Sequence, residues 1–349
     1  MFKRGPLFTG TILPPLYSRK GIHMAQTLRA IVLGSEKKAH IYQHLLGQLP
    51  GYELVGFFDP DDAANVDMLG GLMHSLELSS KADVFFLDRH VRHVQAEWMG
   101  HFIKMGKSVF IDGFRNWGLD ELEQLEKWRQ EAQGVVQFAH VLYNKPLFTS
   151  AMQLIRKPRF IKIEKHCNAP KAGQFSAWLF EQLSQEFDLI QRSIQSSVRQ
   201  VMARPLFLFG DNPDLLNIHI EFDNDAVAHI ALGRAIEPGM HKLRVFQADR
   251  LYHLDFSSQE IAEFRPSQPD IQPQLNLESD WNPADNQIAE FSEIPRTIMP
   301  FDSWKMELRN FQENCQLGLT PTTHLEHIIN SRQLCDWISE RVQRKYQEV

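Results

Sequence analysis

The sequence predicts an α/β protein. An N-terminal Rossmann-like, doubly wound parallel sheet is followed by a C-terminal α+β domain with an open, largely antiparallel sheet. Two observations support this. From residue 28 onward, short apolar runs typical of buried strands alternate with amphipathic helical patterns. After Pro146 the strand-like runs alternate polar with apolar residues, as antiparallel strands covered on one face do. We place the two domains at residues 27–146 and 147–349.

Five apolar runs predict the parallel strands: RAIVLG, ELVGFFDP, ADVFFLD, KSVFID and VVQFAH. The helical patterns between them carry recognisable start and stop signals. Pro50 and Gly51 end the first helix, and Gly106 ends the helix before KSVFID. The next helix has Asp120 near its start, and we expect Gly134 to be its C-cap.

In the second half, the sequence pattern predicts one short helix near residues 148–155, a long helix, and several strands in which polar and apolar residues alternate. The long helix is AWLFEQLSQEFDLIQRSI. The strand segments are RFIKIEKHC, SVRQVMA, NIHIEFDNDAVAHIALGRA with a turn at Asn224-Asp225, KLRVFQAD and RLYHLDF. Residues 265–300 are rich in Pro, Gln and Asn and predict a long loop, and helices at 302–317 and 323–347 end the chain.

Composition excludes several classes of protein. The chain has 349 residues and a net charge of −6, which disfavours a nucleic-acid partner. No apolar run is long enough to span a membrane. The three cysteines are widely separated, which favours a reducing, cytoplasmic location. We expect residues 1–26 to be a disordered leader, with Met24 as an alternative natural start.

Four segments, in this order and spacing, resemble the Gfo/Idh/MocA oxidoreductases. They are LPGYELVGFFDPD, FIKMGKSVFIDG, QFAHVLYNKP and ELRNFQENCQLGLTP. The resemblance covers nearly the whole chain from residue 28. It implies a nicotinamide cofactor, a sugar-like or polyol-like substrate between the domains, and a homodimer formed through the open sheet.

The family's glycine-rich cofactor loop aligns with the segment after the first strand. The candidate contacts there are Gly34, Ser35, Glu36, Lys37 and Lys38. Glycine lets the backbone approach a pyrophosphate at a helix N-terminus, whereas Glu36 adds a side chain and a like charge. Lys37 and Lys38 offset that repulsion if they turn toward the phosphates. The alternative is a solvated charged turn that opens a helix.

Asp59 ends the second predicted strand, where an acid in this fold accepts hydrogen bonds from ribose hydroxyls. Such an acid also repels a 2′-phosphate, so NAD is favoured over NADP if a dinucleotide binds. The alternative is an ordinary turn aspartate before Pro60.

Two catalytic motifs of the family are altered. Its Glu-Lys-Pro aligns with Asp112–Phe114, so Gly113 replaces the lysine while Asp112 retains an acid, one methylene shorter, as a candidate cofactor contact. The alternative for Asp112 is an ordinary carboxylate at a strand end.

The family's Asp-x-Gly-x-His-x-x-Asp aligns with EQLSQEFD. Gln185 replaces the histidine and cannot take a proton. Glu181, Gln185 and Asp188 are the candidate substrate-pocket residues, and an amphipathic helix without a binding role is the alternative.

Other residues could supply the missing proton transfer. His140 ends the last predicted parallel strand, and Tyr143 and Lys145 follow on the same loop, at the edge where ligands bind in this fold. The alternative is a histidine with satisfied hydrogen bonds and a solvated lysine. The pairs His90/His93 and His324/His327 each lack a nearby third ligand, so we predict no metal site.

Two hypotheses remain open at the level of sequence. The first is an NAD(P)-dependent oxidoreductase of this type with an altered site. The second is a non-catalytic relative that binds a ligand or serves as an assembly subunit. The family name alone does not decide between them, because function depends on the site rather than on the fold.

Overall fold

The computed structural model describes residues 27–60, 72–88, 91, 96–113, 117–139, 146–168, 175–208, 213–234, 239–266, 291–295, 302–321 and 323–347. The expected leader at 1–26 lies outside these residues. The first half alternates strands and helices. In chain order these are β1 Leu28–Leu33, α1 Glu36–Leu46, β2 Tyr52–Phe58, α2 Leu72–Lys81, β3 Val84–Asp88, α3 Ala96–Lys104, β4 Ser108–Asp112, α4 Leu119–Ala132 and β5 Val136–Phe138.

Strands β1 to β5 form one parallel sheet in the order β2-β1-β3-β4-β5, so each of the five apolar runs forms a strand. Strands β1, β3, β4 and β5 are largely buried on both faces, as expected when helices cover both sides, whereas the edge strand β2 exposes alternate residues. Phe85 stacks on Phe102 of α3 at 3.9 Å between ring centroids. On the opposite face, Phe86 contacts Tyr42 of α1 at 4.9 Å.

The second half contains a larger sheet. Its elements are α5 Pro146–Leu154, β6 Phe160–Cys167, α6 Phe175–Ile194, β7 Val198–Leu206, β8 Leu215–Phe222, β9 Val227–Arg234, β10 His241–Phe246, β11 Leu251–Asp255, β12 Glu260–Pro266, β13 Phe291–Pro295, α7 Ser303–Leu317 and α8 Leu325–Gln347. The strand order is β13-β12-β11-β10-β6-β9-β8-β7. Strand β6 runs parallel to β9, and every other neighbouring pair is antiparallel.

Alternation along these strands divides the large sheet into two faces. Inward residues such as Ile163 and Ile230 are buried in the same core as Leu183 and Phe187 of α6. Outward residues such as Lys162 stay partly exposed. The predicted fold class, a Rossmann-like parallel sheet plus an open, largely antiparallel sheet, is therefore confirmed.

Two local expectations were wrong. Helix α4 is capped by Gln133, which adopts the left-handed conformation at φ 53°, and not by Gly134. The expected loop at 265–300 also contains regular structure, because β12 runs to Pro266 and pairs with β13. Strand β13 is the edge strand of its sheet, and edge strands tolerate proline. The proline-rich composition of this region therefore indicated a loop although it contains a strand.

Helix α7 returns to the first sheet although it lies near the end of the chain. Leu308 and Phe311 are buried with Phe86 and Phe110 of the parallel strands. The Tyr52 hydroxyl of β2 donates to the Leu308 carbonyl oxygen at 2.8 Å. The domain division at 146/147 stays a prediction, but α7 packs with the first half of the chain.

Candidate functional site

The carboxyl ends of four parallel strands place three acids and one glycine in a row. The register pairs Leu33 with Phe58 and with Leu87, so the next residues, Asp59 and Asp88, flank Gly34. The Gly34 N–H donates to the Phe58 carbonyl oxygen at 2.9 Å. Asp88 is in turn opposite Asp112. We call Asp59, Gly34, Asp88 and Asp112 the edge row; the sequence had identified all of its members except Asp88.

Gly34 is required by close packing against Asp88. A Cβ atom on Gly34 would lie 2.9 Å from the Asp88 Cβ, closer than real Cβ contacts allow. The loop therefore brings its backbone directly against the end of β3. This close approach explains the glycine without reference to any ligand.

Helix α1 begins immediately after this glycine. Ser35 is its N-cap with an extended backbone, and the Ser35 side chain makes no capping hydrogen bond. Ala39 N–H donates to the Ser35 carbonyl oxygen at 3.0 Å. A helix leaves the N–H groups of its first turn without intrahelical acceptors, and together with the helix dipole they favour an anion at this end.

Glu36 lies on the outer surface of α1. Its side chain is 77% exposed, and its Oε1 is 3.8 Å from Nε2 of His40 one turn further along the helix. Lys37 is exposed as well. The structure thus separates the two lysines of the loop, because Lys37 faces solvent whereas Lys38 is directed to the sheet edge.

Lys38 bridges two acids of the edge row. Its Nζ donates to Oδ2 of Asp112 and lies 3.9 Å from Oδ1 of Asp88. The Asp88 and Asp112 side chains are only 6% and 5% exposed. A cation between two buried carboxylates offsets their mutual repulsion and their loss of hydration.

Gly113 follows Asp112 with φ 95°, in the region that favours glycine. The position aligned with the family's lysine is therefore built for a residue without a Cβ. Beyond β5, the proposed compensating residues His140, Tyr143 and Lys145 lie outside the described residues.

The three candidate pocket residues of α6 have different surroundings. Glu181 is exposed and Gln185 is half-buried. Asp188 is buried, and its Oδ1 accepts from Nε of Arg192 at 2.8 Å and lies 2.6 Å from Nδ1 of His327. Asp188 thus joins α6 to α8, and the structure does not bring the three residues into one open cleft.

A second buried acid on α6 was missed by the sequence analysis. Glu186 Oε1 lies 3.0 Å from Lys165 Nζ and 3.2 Å from His241 Nε2. Burial raises the pKa of Glu186, but Lys165 and His241 more than offset it, so the pKa lies below its usual value. The lysine and histidine lie in adjacent strands, a pairing that no local pattern indicates.

His324 and His327 form a pair at the start of α8. Their ring centroids are 4.2 Å apart. Burial, together with the nearby His327 and Arg192, lowers the pKa of His324 to about 3. Within the described ranges, no group of three or more His, Cys, Asp or Glu side chains could hold a metal ion.

None of the helices within the described ranges is both long and apolar enough to cross a membrane.

The fold, with one parallel and one largely antiparallel sheet, is shared with solved structures of other proteins. The structural neighbours are Gfo/Idh/MocA-type dehydrogenases and oxidoreductases. UDP-N-acetylglucosamine 3-dehydrogenase GnnA from Acidithiobacillus ferrooxidans superposes with a TM-score of 0.70 at 14% identity, over 90% of this chain and 97% of the other.

Two further neighbours extend this likeness. A protein from Desulfitobacterium hafniense named as an NADPH-dependent oxidoreductase gives a TM-score of 0.69 at 12% identity, over 92% and 96% of the two chains. A protein from Thermotoga maritima named as a dehydrogenase gives 0.66 at 16%, over 92% and 100%. No family model matches the sequence, and no curated protein matches it significantly. The likeness confirms the resemblance at the level of the fold.

Proposed function

We propose that the chain is a divergent NAD(P)-dependent oxidoreductase of the Gfo/Idh/MocA type that acts on a sugar-like or polyol-like small molecule. The observation that carries this proposal is the edge row beside the N-terminus of α1. Carboxylates at strand ends accept hydrogen bonds from ligand hydroxyls, and the helix N-terminus favours a phosphate. The outward position of Glu36 removes one objection to a phosphate at this loop.

Asp59 favours NAD over NADP in this proposal. It follows β2 directly and lies beside Gly34. A carboxylate at this place accepts from ribose hydroxyls and repels a 2′-phosphate. Asp59, the loop from Gly34 to Lys38, and Asp112 are the proposed cofactor contacts.

Proton transfer requires residues other than those of the family motifs, because neither Gly113 nor Gln185 can exchange a proton. We assign it to His140, Tyr143 and Lys145, and substrate contacts to Glu181 and Gln185. Asp188 then acts by holding α6 against α8 through His327.

A binding titration tests the cofactor proposal. NADH and NADPH are titrated by nicotinamide fluorescence, and NAD and NADP by calorimetry. We expect NADH to bind more tightly than NADPH, and D59N to reduce that preference by about tenfold, the effect of removing one charged contact. E53Q, which changes an exposed acid of β2, the strand that Asp59 follows, is the matched control. Failure of all four nucleotides to bind at millimolar concentration would contradict the proposal.

A non-catalytic relative is the second candidate function. The positive φ of Gly113 favours it, because that position cannot easily return to a lysine. In this case the protein binds NADH or a sugar without turnover. Nicotinamide absorbance, followed over a panel of sugars and polyols, separates the two functions, since only the oxidoreductase converts NAD to NADH.

A second copy of the chain is the proposed partner, docked on the open face of the large sheet. One row across this face contains Met202, His219, His229, Lys162, Arg244 and His253, in register on adjacent strands. Glu164 and Asp255 lie beside it and pair with Lys162 and Lys242. A face that carries both signs of charge is complementary to itself in a two-fold dimer.

We also propose a reducing, cytoplasmic location. Cys167, Cys315 and Cys335 are all free thiols in the described chain. Proteins of oxidising compartments more often pair their cysteines. Mass analysis after thiol alkylation of protein isolated from cells is expected to show three modified cysteines, and a disulfide would contradict the proposal.

A further inference from the structure

Lys38 connects the helix that would receive a phosphate to the acids that would receive ligand hydroxyls. It is the third residue of α1, and its ammonium group contacts Asp112 and Asp88. Its side chain is 21% exposed, so the bridge is only partly accessible to water. The lysine therefore occupies the boundary between the two halves of the proposed cofactor site.

Asp88 connects this bridge to the cofactor loop. Its Cβ is packed so tightly on Gly34 that the glycine has no room for a side chain. The carboxylate of Asp88 is therefore held beside the loop that would surround a pyrophosphate. An anionic ligand at this loop meets a like charge unless a cation is available.

Tyr42 is a second, independent feature of the same helix. It lies one turn after Lys38, on the same side of α1. Its side chain is 1% exposed, and its hydroxyl has no hydrogen-bond partner within the described chain. The charges of Asp112 and Asp88 contribute to raising the pKa of Tyr42, after burial itself. A buried donor without an acceptor thus stands within electrostatic reach of the two acids.

We propose that Lys38 is an internal counter-ion that changes partners when a dinucleotide binds. In the free protein it pairs with Asp88 and Asp112. In the complex it pairs with the pyrophosphate, and the two carboxylates accept hydrogen bonds from ligand hydroxyls and from Tyr42. This inference rests on the proposed function and specifies how the site is regulated. Lys38 is then a phosphate contact in the complex, and in the free protein its ion pairs with Asp88 and Asp112 compete with ligand binding.

The exchange of partners has a consequence for affinity. A ligand that must first break an ion pair binds with an apparent affinity reduced by the fraction of protein in the open state. A substitution that removes a carboxylate from these ion pairs should therefore tighten dinucleotide binding. Removing the lysine should weaken binding, because the pyrophosphate loses its cation.

A double-mutant cycle on NADH binding tests the exchange. We expect D88N to tighten NADH binding by about tenfold, and K38M to weaken it by about tenfold or more. In the K38M background, D88N should tighten binding clearly less, by about threefold at most, because only charge repulsion is relieved and no ion pair with Lys38 has to be broken. K127M, which removes an exposed lysine of α4 outside the proposed cofactor contacts, is the matched control and should leave binding unchanged. Thermal unfolding checks that each variant is folded, and K38Q replaces K38M if the latter is not.

The outcomes separate this inference from the proposed function. Equal tightening by D88N with and without Lys38 would mean that Asp88 acts through simple charge repulsion, and the exchange would be wrong. Unchanged or weaker NADH binding in D88N would also overturn it, while leaving the proposed function intact. Absence of NADH and NADPH binding in the wild type and in every variant would overturn both.

Discussion

At the scale of single residues, Tyr42 of α1 and Tyr52 of β2 differ in the surroundings of their hydroxyl groups. The hydroxyl of Tyr42 is buried and has no partner within the described chain. The hydroxyl of Tyr52 donates to the Leu308 carbonyl oxygen at 2.8 Å. Both rings contact Phe86, at 4.9 Å and 5.8 Å between centroids. Their phenylalanine variants therefore compare an unsatisfied hydroxyl with a satisfied one.

We predict that Y42F stabilises the free protein by about 1 kcal/mol, because burying an unpaired hydroxyl is unfavourable. Y52F is the matched control and should destabilise it by about 1 kcal/mol, through loss of a hydrogen bond and an orphaned carbonyl. Urea unfolding at neutral pH measures both. A loss of stability in Y42F as large as that in Y52F would show that the hydroxyl has a native partner.

Gly113 raises a different question, namely whether the missing lysine can be restored. We predict that G113A destabilises the protein by about 1 kcal/mol or more, because φ of 95° is strained for any residue with a Cβ. G56A is the control, since a methyl group on Gly56 would meet open space and the φ of this residue is not positive. G113K should be destabilised like G113A and should gain no dehydrogenase activity. Equal stability of G113A and wild type in urea would refute the backbone argument.

At the scale of elements, α6 shows what a sequence pattern can and cannot reveal. Its apolar spacing predicts an amphipathic helix, and the structure has one over Phe175–Ile194. The pattern does not reveal that Asp188 meets His327, 139 residues further along the chain. A regular spacing of polar residues on one helix face is compatible with a ligand pocket or with packing against another helix, and only the fold decides.

Helix α8 gives a prediction for the pH dependence of stability. The pKa of His324 is about 3 in the folded protein and near 6.5 when unfolded, so the unfolded state binds the proton more readily. The stabilising contribution of neutral His324 is complete above pH 6.5 and falls as the pH decreases toward 3.

Between pH 8 and pH 5 the wild type should lose about 2 kcal/mol more stability than H324Q, by proton linkage at this one residue. Urea unfolding of both proteins at the two pH values provides the comparison. The difference between the two proteins is what isolates His324, because other histidines also titrate in this range. Parallel pH profiles would mean that the pKa of His324 is not lowered in the folded protein.

At the scale of the whole molecule, the sequence predicts more of the fold than of the candidate site. Five apolar runs separated by helices predict a parallel sheet, because strands that are buried on both faces appear in a sequence as short, nearly continuous apolar runs. Strand β13 escaped prediction because short edge strands carry little periodicity. The edge row was partly predictable, since residues after parallel strands meet at one edge. The partner of Lys38 was not, because Asp112 lies 74 residues away in sequence.

The proposed dimer is also a property of the whole molecule. We predict that F246R, on the open face of the large sheet, converts a dimer to a monomer, because Phe246 is 37% exposed there and a buried arginine lacks a partner. F57R is the control, since Phe57 is 52% exposed but belongs to the first sheet. Light scattering after size exclusion measures the mass. A monomeric wild type, or a dimer that survives F246R, would exclude this interface.

Helix α7 has a consequence for how the protein is made. Leu308 and Phe311 complete the core on one side of the first sheet, although that sheet's last strand ends at Phe138. During synthesis, the ribosome must add about half of the final chain after Phe138 before this side is covered. The nascent N-terminal half therefore exposes an apolar surface that chaperones can bind, and its core is completed late in biogenesis.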